Sequence, residues 1–283
     1  MSNKLDTPVS ANSVKSDGHI KVSNVMKDDF GFEIPVEGVP LPSRGIIYPD
    51  DGVLHGRDTI DIKPMTAKEE DILTSRAYIK SGTVLTKLLE SCIVDKRIKP
   101  DKLISGDRNA LLVSLRITGY GADYDVEVDC PECGTKSKQS FDLAQLEIKR
   151  LEVEPVVIGE NLFEIKLPVT KKNVRVKFLT GSDERDMMIT AERRKKSGLK
   201  IESMITDRLS RSVVSVDGIT DKNKLNFFVK NLPARDSLSL RRFLDKHEPG
   251  IIMKSWMNCP HCHEQSEVGL PMGAAFFWPD TEW

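Results

Sequence analysis

The sequence lacks an excess of either charge: 42 Lys and Arg stand against 43 Asp and Glu, a formal net charge of -1. Dedicated binders of nucleic acid or anionic membranes usually carry a basic surplus, so neither is expected from this balance. The chain also lacks any apolar run near the roughly 18 residues that cross a bilayer, and its opening, MSNKLDTPVSANSVKSDGH, has no apolar signal core. No membrane insertion is expected, and a cytosol is the expected place of synthesis. At 283 residues the chain is long enough for one large domain or two ordinary ones with a real core.

Catalytic signatures are missing too. There is no GxGxxG after a strand, no Walker-type loop, no HExxH, no GxSxG and no Ser/His/Asp set. His19 lies in a polar N-terminal stretch, while His55 and His247 lie in turn-like segments. The acidic pairs Glu69-Glu70 and Asp183-Glu184 open helical stretches, where the helix dipole is sufficient reason for them. No enzyme activity and no small-molecule substrate are expected.

Cysteines are few, but four of the five form two CPxC patterns: Cys130-Pro-Glu-Cys133 and Cys259-Pro-His-Cys262. In a cytosolic protein these are not read as disulfides. Cys92, in LLESCIVD, reads as a small buried hydrophobe.

Along the chain, residues 1–30 are polar and poor in large apolar side chains, which predicts a flexible arm. Residues 31–57 carry Pro35, Pro40, Pro42 and Pro49 with Gly38 and Gly45, so no helix is possible and an extended strap broken by turns is predicted. Val39, Leu41, Ile46, Ile47 and Tyr48 are too apolar for an idle linker and must dock on this chain or another. The chain then repeats an order of patterns. In residues 58–150, TIDIKPM leads to the capping-box start at Thr66, helical stretches and the strand YDVEVDCPECG; in 151–272, NVRVKFL leads to Thr180, helical stretches and IIMKSWMNCPHC. Thr66 to Cys130 spans 64 positions and Thr180 to Cys259 spans 79, so the second copy needs an insertion of about 15 residues. The predicted fold class is α+β, an internal pseudo-twofold duplication in which each half is strand, helices and hairpin, with a zinc-ribbon-like clasp between halves.

A CPxC at the tip of two strands sets both sulfurs on one side of a turn, and two such knuckles supply the four soft ligands of tetrahedral zinc. With 125 residues between Cys133 and Cys259, spacing alone does not join the knuckles; the duplication does, by bringing equivalent hairpins tip to tip. One structural zinc held by Cys130, Cys133, Cys259 and Cys262 is therefore expected. Histidine ligation through His263 and redox chemistry of a lone CPxC remain alternatives. The basic stretch AERRKKSGLK reads as a solvated helix face or as a contact for an acidic partner; without interleaved aromatics it is a poor single-strand platform. Residues 273–283, an aromatic tail with Phe276, Phe277, Trp278 and Trp283, read either as packing on their own domain or as an anchor in a neighbouring subunit.

The ordered series VPLPSRGIIYP, MTAKEEDIL, LLESCIVD and DRNALLVSLRITGYGADYDVEVDCPECG with the following FDL resembles the baseplate proteins of T-even-type contractile-tail phages. The resemblance covers roughly residues 39–143 and reaches the second half only through the repeat. It implies a hub subunit or hub-assembly protein of the baseplate, other baseplate or tail subunits as partners, and a place in the virion tail after assembly in host cytoplasm. Leu41, Pro42, Ser43, Arg44, Gly45 and Tyr48 of the strap, and the four tail aromatics, are the expected partner contacts. A zinc-ribbon nucleic-acid adaptor, supported by AERRKKSGLK and Lys254, is the rival reading.

Overall fold

The structure is a computed structural model and describes residues 22–27, 31, 33–197, 203–272 and 276–277. Its sheets are small and antiparallel. Strand β1 (Val22–Lys27) pairs with β2 (Glu33–Pro40), which pairs in turn with β3 (Thr59–Ile62). The expected arm therefore does not hold for residues 22–27, which complete a sheet; residues 1–21 and 28–30 lie outside the described residues. In β3 the period of two puts Ile60 and Ile62 on the core side and Thr59 and Asp61 in solvent.

Helix α1 (Ala67–Thr74) starts where the sequence signals it: the Glu69 carboxylate accepts from the Thr66 amide at 2.9 Å, satisfying a donor the helix cannot. The short α2 (Arg76–Lys80) buries nothing. Helix α3 (Val84–Cys92) returns Leu88, Leu89 and Cys92 to the core, and its exit bridges back to β3 through Ile62 and Ile93. Helix α4 (Ser105–Tyr120) is the centre of the molecule, with Leu111, Leu112, Val113 and Leu115 each no more than 2% exposed. Gly106 in its first turn is obligatory, because a Cβ there would lie 1.7 Å from the Pro249 carbonyl oxygen. The hairpin of β4 (Asp123–Asp129) and β5 (Lys136–Asp142) follows.

After the short β6 (Ile148–Lys149), a three-stranded sheet forms from β7 (Phe163–Lys166), β8 (Asn173–Val176) and β9 (Val213–Val216). Between β8 and β9 come α5 (Gly181–Lys196), opened by the Thr180–Asp183 capping box, and α6 (Met204–Ser212). Then α7 (Lys222–Lys230), α8 (Ala234–His247), β10 (Gly250–Ile251) and the hairpin of β11 (Lys254–Asn258) with β12 (Gln265–Gly269) complete the order. The halves are tied by β10 pairing with β6 and by Ile104 bridging to Thr180. The α+β class expected from the sequence is what forms.

The strap docks on its own chain. Leu41, Ser43 and Tyr48 are 0%, 0% and 6% exposed. The Ser43 amide and hydroxyl donate to Asp107 at 3.0 and 2.6 Å, the Tyr48 hydroxyl donates to the same carboxylate at 2.6 Å, and the Ile104 amide donates to the Tyr48 oxygen at 3.1 Å. Burial pushes the Asp107 carboxyl above its ordinary range against the pull of these hydrogen bonds. Gly45, at φ 70°, has Leu54 O only 2.5 Å from where a Cβ would stand. Arg44 is exposed yet donates to Leu151 O at 2.9 Å, and Pro42 is buried beneath it. Of the six strap residues expected to meet a partner, Leu41, Pro42, Ser43, Gly45 and Tyr48 are buried within this chain, and Arg44 donates to its own backbone.

Part of the tail is likewise buried within this chain. Phe276 and Phe277 are 0% and 3% exposed, and the Phe276 ring meets Tyr124 edge-on at 5.2 Å. Arg116, wholly buried, spreads its guanidinium over three backbone carbonyls, those of Phe276 at 2.7 Å, Gly121 at 2.6 Å and Asp123 at 2.8 Å. The residues Trp278 and Trp283 lie outside the described residues.

Candidate metal centre

Two hairpin tips meet at this centre. At the first, the Cys130 amide donates to Thr135 O at 3.0 Å and the Gly134 amide donates to Cys130 O at 2.9 Å; at the second, Cys259 pairs with Glu264 O at 3.0 Å and His263 with Cys259 O at 2.9 Å. The turns also share a left-handed residue, Gly134 at φ 69° and His263 at φ 63°. His263 thus occupies the position that glycine fills in the other knuckle, and its place is fixed by the turn.

The four cysteines expected to act together are brought together. Their sulfurs all lie within 4.8 Å of one another, and the close approaches cross between knuckles, Cys130 to Cys262 and Cys133 to Cys259, each at 3.7 Å. That separation is too long for a disulfide. It matches the edge of a tetrahedron: with metal–sulfur bonds of about 2.3 Å, ligand sulfurs stand about 3.8 Å apart. Among the described residues this four-cysteine set is the metal-competent cluster, and neither His261 nor His263 belongs to it.

The surroundings favour thiolate at Cys133 and Cys259. Hydrogen bonds from the Thr135 side chain and amide draw the Cys133 thiol down to about 6. The amides of Cys262 and His261 lower Cys259, the latter from 3.4 Å. Cys262 accepts from the Glu264 amide, but burial and the neighbouring sulfurs outweigh it and push the thiol up to about 12. Four sulfurs this close cannot all become thiolates without a cation between them. Cys130 and Cys259 are buried, Cys262 half-buried and Cys133 exposed. Cys92 stands apart in the core, where burial raises its thiol to about 12 and leaves it inert.

Sequence reasoning missed the pair of buried aspartates that seat the strap and its counterpart. Asp107 and Asp236 are each the third residue of a helix, α4 and α8. Asp107 accepts from the Ser43 amide, and Asp236 from the amides of Val169 and Thr170 at 2.7 and 2.9 Å. The signal was present: Leu41-Pro42 precedes the first acceptor's partner and Leu167-Pro168 the second. Arg116 as anchor of Phe276 had no signal beyond being an arginine in an apolar helix.

These features define an α+β chain in which both hairpins end in a common four-sulfur cluster and in which the strap, Phe276 and Phe277 are folded inward. A sequence model of the family described as T4 bacteriophage base plate protein matches residues 47–278. The chain belongs to that family and is a baseplate protein of the T4 type. No curated protein and no solved structure matches it.

Proposed function

We propose that the chain is a structural subunit of the contractile-tail baseplate, in its hub region, and that Cys130, Cys133, Cys259 and Cys262 hold one zinc that clasps its two halves. The observation that carries the zinc is the 3.7 Å crossing of sulfurs from hairpins more than a hundred residues apart. The donor set suits zinc, which takes thiolates tetrahedrally and, with four of them, keeps no open position. Bound there, the metal would supply fold stability by cross-linking the knuckles and would not activate water. What the chain's own residues do is hold the sulfurs: the hairpin registers aim them, and the amides of His261 and Cys262 draw charge toward Cys259.

The two halves also support an origin by duplication about a pseudo-twofold axis. The Lys63 amide donates to Cys92 O at 2.9 Å and the Lys177 amide to Ser212 O at 2.8 Å, closing three helices in the first case and two in the second back onto their strand, with a capping box three residues after each lysine.

The role in the particle is tested by peptide mass spectrometry of purified phage after a high-salt wash. Stable presence at a few copies supports a baseplate subunit. Presence in infected-cell lysate with absence from particles assigns the chain to hub assembly and overturns the structural reading. The nucleic-acid rival predicts binding that weakens steeply with salt; the balanced charge speaks against it.

A further inference from the structure

The charged residues of this chain are balanced in number but not in place. Along β4 the alternation of the strand puts Asp123, Asp125, Glu127 and Asp129 all on the solvent side while Tyr124 and Val128 point into the core. The register relieves only the half of this row nearer the hairpin tip. Lys138 faces Glu127 and Lys136 faces Asp129, with Lys136 3.8 Å from Glu127 and 3.9 Å from Asp129, but Ser140 faces Asp125, and Asp142 faces Asp123. Like charges directly opposed across a hairpin destabilise it. Neither Asp123 nor Asp125 has a cationic partner among the described residues.

The opposite imbalance sits at the far end of α5. This helix of 16 residues buries only Gly181, its first, and from Ala191 onward every residue is exposed except Arg194, which is half-buried and held by Asp207. Arg193, Lys195 and Lys196 have no acidic partner among the described residues, and repel one another within a single turn. The helix dipole accounts for cations here but not for two turns of helix without a packed face, which are marginal in water on their own. The start of α5 is bridged to the start of α4, whereas β4 begins at the end of α4, about 24 Å along that helix. No ion pair joins the basic helix end to the acidic strand among the described residues.

We infer that copies of this chain associate head to tail, the basic end of α5 in one copy lying on the acidic face of β4 in the next. The occupant is a second copy because each surface supplies what the other lacks, and a contact of this kind is heterologous, closing to a ring or running on as a chain. The inference rests neither on the zinc nor on the place in the baseplate.

Sedimentation velocity on the full chain tests it. Wild type should sediment as oligomers at about 0.05 M salt and shift to monomer as salt rises to about 0.5 M, where screening shortens the reach of the charges severalfold. Two charge-reversed variants then separate the faces: Arg193→Glu with Lys195→Glu and Lys196→Glu, and Asp123→Lys with Asp125→Lys and Glu127→Lys. Each alone should remain monomeric, and their equimolar mixture should regain oligomers, because every acidic surface again meets a basic one. A misfolded variant could not be rescued in this way. A wild type that is monomeric at low salt, oligomers indifferent to salt, or reversed variants that associate as wild type does would each overturn the proposal; milder Lys195→Gln with Lys196→Gln, should a reversal fail to fold, must still weaken association.

Discussion

At the scale of single residues, the strongest commitments are buried polar groups that serve backbone partners. Arg116 holds three carbonyls, one of them in the tail. Arg116→Met keeps much of the volume but strands those acceptors, so chemical denaturation should show a loss of more than about 3 kcal/mol. Tyr48→Phe removes one donor to Asp107 and the acceptor of the Ile104 amide, and a loss of about 1.5 to 3 kcal/mol is expected by the same measurement. Glu69 titrates in the other direction from Asp107. Burial would raise it, but hydrogen bonds from Ser91 and Thr66 and the charge of Lys63 prevail and hold it down at about 2. A carboxyl lowered by folding stabilises above its unfolded value near 4.5 and loses that contribution as pH falls toward 2. Thermal melts between pH 5 and pH 2 should therefore fall more steeply for wild type than for Glu69→Gln.

Among the elements, the hairpins and helix starts were legible and the docking of the strap was not. The Thr66 and Thr180 boxes form where a threonine stands three residues before an acid, because that signal is local and backbone groups are satisfied on the spot. The knuckles likewise follow from a four-residue pattern. Val39, Leu41, Ile47 and Tyr48 announced that the strap must dock, yet apolar side chains do not say on which chain. What decides it is Asp107, 64 positions from Ser43, and a contact at such range leaves no mark in a window of sequence. The tail was ambiguous for the same reason, since its anchor, Arg116, lies 160 positions away. Deleting residues 276–283 should lower the melting temperature, since it takes from the Arg116 Nε its acceptor and leaves only the Gly121 and Asp123 carbonyls, whereas an aromatic anchor meant for another subunit would leave the isolated chain's melt unchanged.

Over the whole molecule, the parts of the chain before and after residue 150 are joined at many places, among them the β6–β10 pairing, the Ile104–Thr180 bridge and the crossing sulfurs. The first two are backbone contacts, while the third lies at the hairpin tips. A metal there binds the folded state and not the unfolded one, so it stabilises by mass action and must be lost with acid, as its thiolates protonate. Chelation should lower the melting temperature of the chain without changing the buried strap. The repeated order of patterns read in the sequence made the shared site thinkable, where spacing alone could not join Cys133 to Cys259.

Native mass spectrometry of the full chain, with Cys130→Ser and Cys259→Ser beside it, tests the shared clasp most directly. One zinc per chain, lost from both variants although their substitutions lie in different knuckles, is the predicted result. Two metals per chain, or a variant in one knuckle that leaves metal bound at the other, would contradict it.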